Sequence, residues 1–186
     1  MDISNLRCFL SEDNISLHKD HYGNLLSLSN VIYKSFPALK DVDPNDLKKI
    51  RIKSVRQNEY LPALNLAHLH KIFFGSFTDK PARCDYIRKW YSSEDDFLYG
   101  AYLAARESFS SFVYFFVHRD GRPDFKITDG ESYSFEYSPV LAVDLFEHSY
   151  FMDYGFDRDR YIRRAFSVLN LEKLGNYFKE QKSLDT

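Results

Sequence analysis

The apolar positions of this chain change their spacing twice. In the first stretch they recur at helical intervals. Ser11-Glu12-Asp13-Asn14 offers capping side chains, and Ile15, Leu17, Leu25, Leu26 and Leu28 follow on helical turns. This predicts a helix to about Tyr33, broken by Pro37. Asp43-Pro44-Asn45-Asp46-Leu47 predicts a short second helix over 43–52, with Pro in its first turn. Leu64, Ala67, Leu69, Ile72 and Phe73 give a broad apolar face to a third helix over 61–77, closed by Gly75 and Pro81. Ser93-Glu94-Asp95-Asp96 caps a fourth helix that runs to about Phe109.

The middle stretch is β-branched and aromatic. Phe112-Val113-Tyr114-Phe115-Phe116-Val117 predicts a strand. Arg119-Asp120-Gly121-Arg122 predicts a turn, because Gly121 can adopt positive φ. Phe125-Lys126-Ile127 completes a hairpin, and Val140 to Val143 is a third strand. Helical spacing then returns over 158–169 and 172–181. Helices, a small antiparallel sheet and helices again define an α+β chain with a helical N-terminal half.

The chemistry gathers where the third strand ends. Asp144-Leu145-Phe146-Glu147-His148 places a carboxylate and an imidazole at the exit of Pro139-Val140-Leu141-Ala142-Val143. Iron and manganese accept such mixed nitrogen and oxygen donors. Of the six histidines, His18 falls on the first helix and His70 on the third. Two helices packed on the sheet could bring both to the Asp144–His148 pair, giving three imidazoles, one carboxylate and an open position. His68 is expected to be structural or solvent-facing, and His118 to sit at a strand end. The basic residues Lys48, Lys49, Arg51 and Lys53 are expected to form a solvated helix face.

Composition narrows the partners. The chain has 186 residues, 44% hydrophobic and 28% charged, as expected for one globular unit. A formal net charge of -2 gives no nucleic-acid footprint. No apolar run approaches the ~20 residues of a membrane span. Met1-Asp2-Ile3-Ser4-Asn5 lacks the basic and apolar regions of a signal peptide. Two cysteines, Cys8 and Cys84, make no disulfide framework and have no zinc-site spacing. A cytoplasmic, reducing location is expected.

The residues Asp144-Leu145-Phe146-Glu147-His148-Ser149-Tyr150-Phe151-Met152-Asp153-Tyr154 resemble the Asp-Val-Trp-Glu-His-Ala-Tyr-Tyr-(Leu/Ile)-x-Tyr signature of the iron/manganese superoxide dismutases. The similarity continues through Arg158, Tyr161 and Asn170-Leu171. His70-Lys71-Ile72-Phe73-Phe74 is similar to the family segment around its second ligand. Leu17-His18-Lys19-Asp20-His21 is similar to the segment around the first, about one residue shorter. The resemblance spans residues 11–178.

This resemblance implies an N-terminal helical domain over 1–80 and a C-terminal α/β domain with a three-stranded antiparallel sheet over 81–186. It implies one iron ion (or manganese, less favoured) per chain on His18, His70, Asp144 and His148, and conversion of superoxide to dioxygen and hydrogen peroxide. It also implies a homodimer in which Glu147 bridges to the partner and Tyr150 contacts a histidine on the first helix, with His21 the candidate. Tyr22 is the candidate for the family's gateway Tyr, which by count falls at Leu25 or Leu26. The Gln that binds metal-bound solvent falls at Leu66 or near residues 128–131, where Asp129 or Glu131 could approach. Family Trp positions fall at Phe74, Phe112, Tyr114 and Phe146. These departures leave two other functions open: an oxidase or oxygenase acting on an organic substrate, and a non-catalytic scaffold in a larger assembly.

Overall fold

A computed structural model describes residues 3–37, 57–81, 84–109, 111–129 and 137–184, with backbone alone at 57–61. A short 3-10 turn, Ser4–Cys8, leads into helix α1, Glu12–Ser35. Ser11 Oγ accepts from the Asn14 amide at 3.2 Å, which satisfies one of the orphan donors of the first turn. Glu12 and Asp13 in that turn complement the helix dipole. The helix ends just before Phe36-Pro37, because Pro cannot continue it.

Helix α2, Gln57–Phe74, starts and ends earlier than the expected 61–77. Pro62 lies inside the helix, sixth from Gln57; it removes the N–H that would reach Asn58 O, and the helix runs on through it. At the other end the chain tightens through Gly75 N–H to Ile72 O and Ser76 N–H to Phe73 O, and Phe77 joins an isolated bridge to Leu169. The expected helix over 43–52 and the basic residues Lys48, Lys49, Arg51 and Lys53 lie outside the described residues. Helix α3, Glu94–Glu107, is capped by Ser93 Oγ at 3.0 Å from the Asp96 amide and stops short of Phe109.

The sheet has the order β2-β1-β3, with both pairings antiparallel. Strand β1, Phe112–Val117, is central and buried at each position, which explains an uninterrupted apolar run instead of alternation. Strand β2, Pro123–Thr128, is an edge and carries Asp124 and Lys126. Gly121 closes their hairpin at φ +95, and a Cβ there would stand 2.5 Å from the Phe178 ring. Strand β3, Leu141–Asp144, is shifted one residue from the expected Val140 to Val143 and pairs Asp144 with Phe112.

Helix α4, Glu147–Tyr154, follows β3 at once and was not predicted from the spacing. It ends at Gly155, and Asp157 caps helix α5, Arg158–Ser167. Helix α6, Glu172–Leu184, closes the chain. Helix α1 packs on α2 and α4, α2 on β3, and α6 on β1. One hydrophobic cluster runs through these elements from Leu6 to Leu174, so packing crosses the boundary between 80 and 81. Ser76 ties α2 to β3: its Oγ donates to Ile72 O at 2.8 Å and accepts from the Ala142 amide at 2.8 Å. Among the described residues, no helix is long and apolar enough to cross a membrane.

Candidate metal centre

Four side chains from four elements converge on one point. His18 comes from α1, His70 from α2, Asp144 from the end of β3 and His148 from the first turn of α4. Asp144 Oδ2 lies 3.1 Å from His148 Nε2, 3.3 Å from His70 Nε2 and 3.7 Å from His18 Nε2. The His18, His70 and Asp144 side chains are sealed from solvent, whereas the His148 side chain is 29% exposed.

Each imidazole is oriented through its other nitrogen or through its element. Asn14 Nδ2 donates to Ser149 O at 3.2 Å, so Asn14 Oδ1 is the atom that faces His18 Nδ1 at 2.9 Å. The His18 proton therefore sits on Nδ1, and Nε2 carries the lone pair. That lone pair faces Ser149 Oγ at 3.2 Å. His70 Nδ1–H donates to Leu66 O at 2.8 Å, one helical turn back. Its Nε2 is buried and makes no hydrogen bond, yet it points at the Asp144 carboxylate. A lone pair aimed at a buried carboxylate is repulsive unless a cation lies between them. The donor set fits a transition metal of the iron or manganese kind.

The carboxylate is fixed from behind. Asp144 Oδ1 accepts from the Phe146 amide at 2.9 Å, which leaves Oδ2 for the imidazoles. Tyr161 donates its hydroxyl to Asp144 O at 2.6 Å and is itself fully buried. Burial pushes the Asp144 carboxyl up, but the surrounding imidazoles of His148, His18 and His70 outweigh it and hold the group well below the usual carboxylate range. Burial pulls His148 down, and its hydrogen bond to Asp144 more than offsets this, so it is raised.

Aromatic rings surround the centre. Phe73 stacks on His18 with centroids 5.1 Å apart, Phe112 meets His70 edge-on at 5.2 Å, and Phe146 stacks on His148 at 5.7 Å. Phe74 stands edge-on to His18 at 6.4 Å and carries the Tyr22 ring at 5.3 Å. Burial raises the Tyr22 hydroxyl. Tyr114 packs on Phe116, further along the strand. Leu66 packs partly buried against the core and serves the site through its carbonyl. Leu25 is buried and Leu26 is 40% exposed. Glu131 lies outside the described residues.

His21 also lies beside the centre. Its ring centroid is 5.0 Å from that of His70 and 4.6 Å from that of His148. Burial and then the His70 and His148 imidazoles push it down to about 4, against the pull of Asp144. Within the chain, Tyr150 meets Tyr161 at a tilt, centroids 5.4 Å apart, and lies under the Arg158 guanidinium at 6.0 Å. Glu147 is exposed at the start of α4 and lines an open cleft with Tyr150, Arg106 and Arg158. His68 is half-buried on α2, and His118 follows β1, 2.9 Å from Asp124. Asn14 and Ser149 are supporting residues that the spacing did not reveal. An Asn one turn before a candidate ligand on a helix is the signal that could have found the first.

Two helices and a sheet exit that bring three imidazoles and one carboxylate together define a candidate redox-metal centre on an α+β scaffold. The family model for the iron/manganese superoxide dismutases, C-terminal domain, matches residues 83–177, and the chain belongs to that family. The matched residues contain Asp144 and His148, whereas His18 and His70 precede them. Membership makes this a protein of an oxidoreductase family that binds iron or manganese.

Proposed function

We propose that the chain is a metal-dependent oxidoreductase of superoxide dismutase type, with one iron or manganese ion held by His18, His70, Asp144 and His148. The observation that carries this reading is the buried Nε2 of His70, unpaired and 3.3 Å from a buried carboxylate oxygen. When bound, the metal alternates between +3 and +2, so that one superoxide is oxidised to dioxygen and a second takes one electron and two protons to leave as hydrogen peroxide.

The chain's own residues prepare that exchange. Asn14 and Leu66 O hold the Nδ1 protons of His18 and His70, which turns both Nε2 atoms inward. Asp144 supplies one negative charge without a proton, since its carboxyl is held ionised. Phe73 and Phe112, both fully buried, keep water from the side of His18 and His70, so the charges act in a poorly screened space. His148 and His21 are the less buried pair, so a small anion would approach on their side.

We also place Glu147 and Tyr150 at an interface between two copies, supported by the exposed Phe109, Phe151 and Phe156 around the same cleft. The free thiols of Cys8 and Cys84 support a cytoplasmic location.

Metal analysis of purified protein, followed by a superoxide-dismutation assay, tests the reading. Near one iron or manganese per chain with robust turnover is expected. Metal with no turnover would favour an oxidase or oxygenase on an organic substrate, in keeping with an apolar Leu66 beside the site. An absence of bound metal after growth and refolding with iron and manganese would sink both and favour a scaffold.

A further inference from the structure

We propose that His21 is a fifth protein ligand, so that four imidazoles and one carboxylate surround the ion. The inference rests on the proposed metal centre and adds a donor to it on the less buried side.

The helix supplies the first argument. His18 and His21 are three residues apart on α1, so they lie on one face, and that face packs on α2 and α4. A helix that delivers His18 to the centre must also deliver its neighbour on the same face. The second argument is distance. A metal–nitrogen bond of about 2.1 Å places two donors on one ion about 3 to 4.2 Å apart. One donor atom each from His21, His70 and His148 all lie within 4.8 Å of one another, a limit slightly wider than that span. The same holds for His18, Asp144 and His148, so the two trios share His148. His70 closes them further, since its Nε2 is 3.3 Å from Asp144 Oδ2.

The third argument is placement. The His18 and Asp144 side chains are at 0% exposure, whereas His21 is only half-buried. A ligand on this less buried side would add to the inner donors. Six-coordinate iron or manganese would keep a single open position. Among the described residues, no hydrogen bond or ion pair holds the His21 ring elsewhere; its ring contacts are the two imidazoles.

Pulsed electron paramagnetic resonance of the full-length protein loaded with Mn2+ reads the number of coordinated nitrogens. Labelling with 15N-histidine assigns them to imidazole. Four coordinated imidazoles are expected in the unaltered chain and three in His21→Ala. Added imidazole should restore the fourth signal in the variant. Competition with a chromophoric chelator should show Mn2+ affinity in His21→Ala reduced by at least about 10-fold, the lower range for loss of an outer supporting partner. Three imidazoles in the unaltered, metal-loaded chain would overturn the inference and leave the metal centre standing. So would a His21→Ala spectrum identical to the unaltered one. An unaltered chain that binds neither iron nor manganese would overturn both.

Discussion

The two sides of the centre are built by different means. On the sheet side, Asp144 and His148 are four residues apart, and their placement is local. The β1 partner Phe112, the Phe146 amide and the Tyr161 hydroxyl each fix the carboxylate through the backbone or through a short fully buried bond. On the helical side, His18 and His70 come from separate helices whose positions depend on side-chain packing and on a few ties such as Asn14 to Ser149 O. The family match falls on the sheet side, at 83–177. The contrast teaches that the sheet exit is a rigid half-site and that the helices bring it to completion. Metal binding should then depend on both sides, whereas fold stability should depend mainly on the first.

Asp144→Ala should have the largest effect, because it removes the one donor that all three imidazoles share. Bound metal should fall from about one per chain to near zero. The Phe146 amide and His148 would also lose the partner that Asp144 gives them, a loss of about 1–3 kcal/mol. Metal analysis and urea unfolding check both. A variant that keeps its metal would break the idea that the sheet exit anchors the site.

Gly121→Ala comes next and separates scaffold from site. Gly121 has φ +95, and a Cβ would stand 2.5 to 3.0 Å from the Phe178 ring. Backbone strain and overpacking together should destabilise by about 3 kcal/mol in urea unfolding. The hairpin tip is remote from Asp144 along β1, so the folded fraction should still bind metal in full. A drop in metal per folded chain would show that the sheet is not rigid enough to isolate the site.

A paired comparison then weighs the two sides directly. Tyr161→Phe leaves the Asp144 carbonyl without its 2.6 Å partner in a buried place and should cost about 1–2 kcal/mol of stability. Asn14→Ala frees His18 Nδ1 and should lower metal affinity by about 10-fold or more. Chelator competition and urea unfolding of both variants measure the two quantities. Equal loss of affinity in the two would erase the proposed difference between local and packed halves.

The same division decides what could be read from the sequence. Ser11 and Ser93 caps, the β1 run and the Gly121 turn are legible because neighbours along the chain produce them. The Asp144–His148 pair is legible for the same reason. Helix α4 is not, because Phe151 and Met152 are 51% and 54% exposed, which blurs any apolar stripe. The first turns of α2 are hidden by Pro62, which reads as a breaker although the helix runs through it. Asn14 and Ser149 meet across 135 residues, so no local pattern marks them. His21 shares a helical face with His18, but its approach to His70 and His148 depends on how α1 lies against its neighbours.

The smallest expected effect uses a second depressed carboxylate, away from the candidate centre along β1. Asp124 on β2 lies 2.9 Å from both His118 Nε2 and Arg122 Nη1, and its Oδ1 accepts from the Phe125 amide. Burial pushes its carboxyl up, but the His118 bond, the Phe125 amide and the Arg122 charge outweigh this and lower it below its ordinary 3.8. Below 3.8 the unfolded chain therefore binds more protons than the folded one. Its contribution is complete above that pH and is lost as pH falls through the lower folded value. The side chain is 27% exposed, so the contribution should be at most about 1 kcal/mol. In metal-free protein, Asp124→Asn should flatten the decline of stability with acid below 3.8. In loaded protein the pH of metal release should not move, because release follows protonation of the ligands at the centre. A shift in that release pH would mean that the hairpin turn and the metal centre are coupled through β1, against the independence that the sheet side otherwise shows.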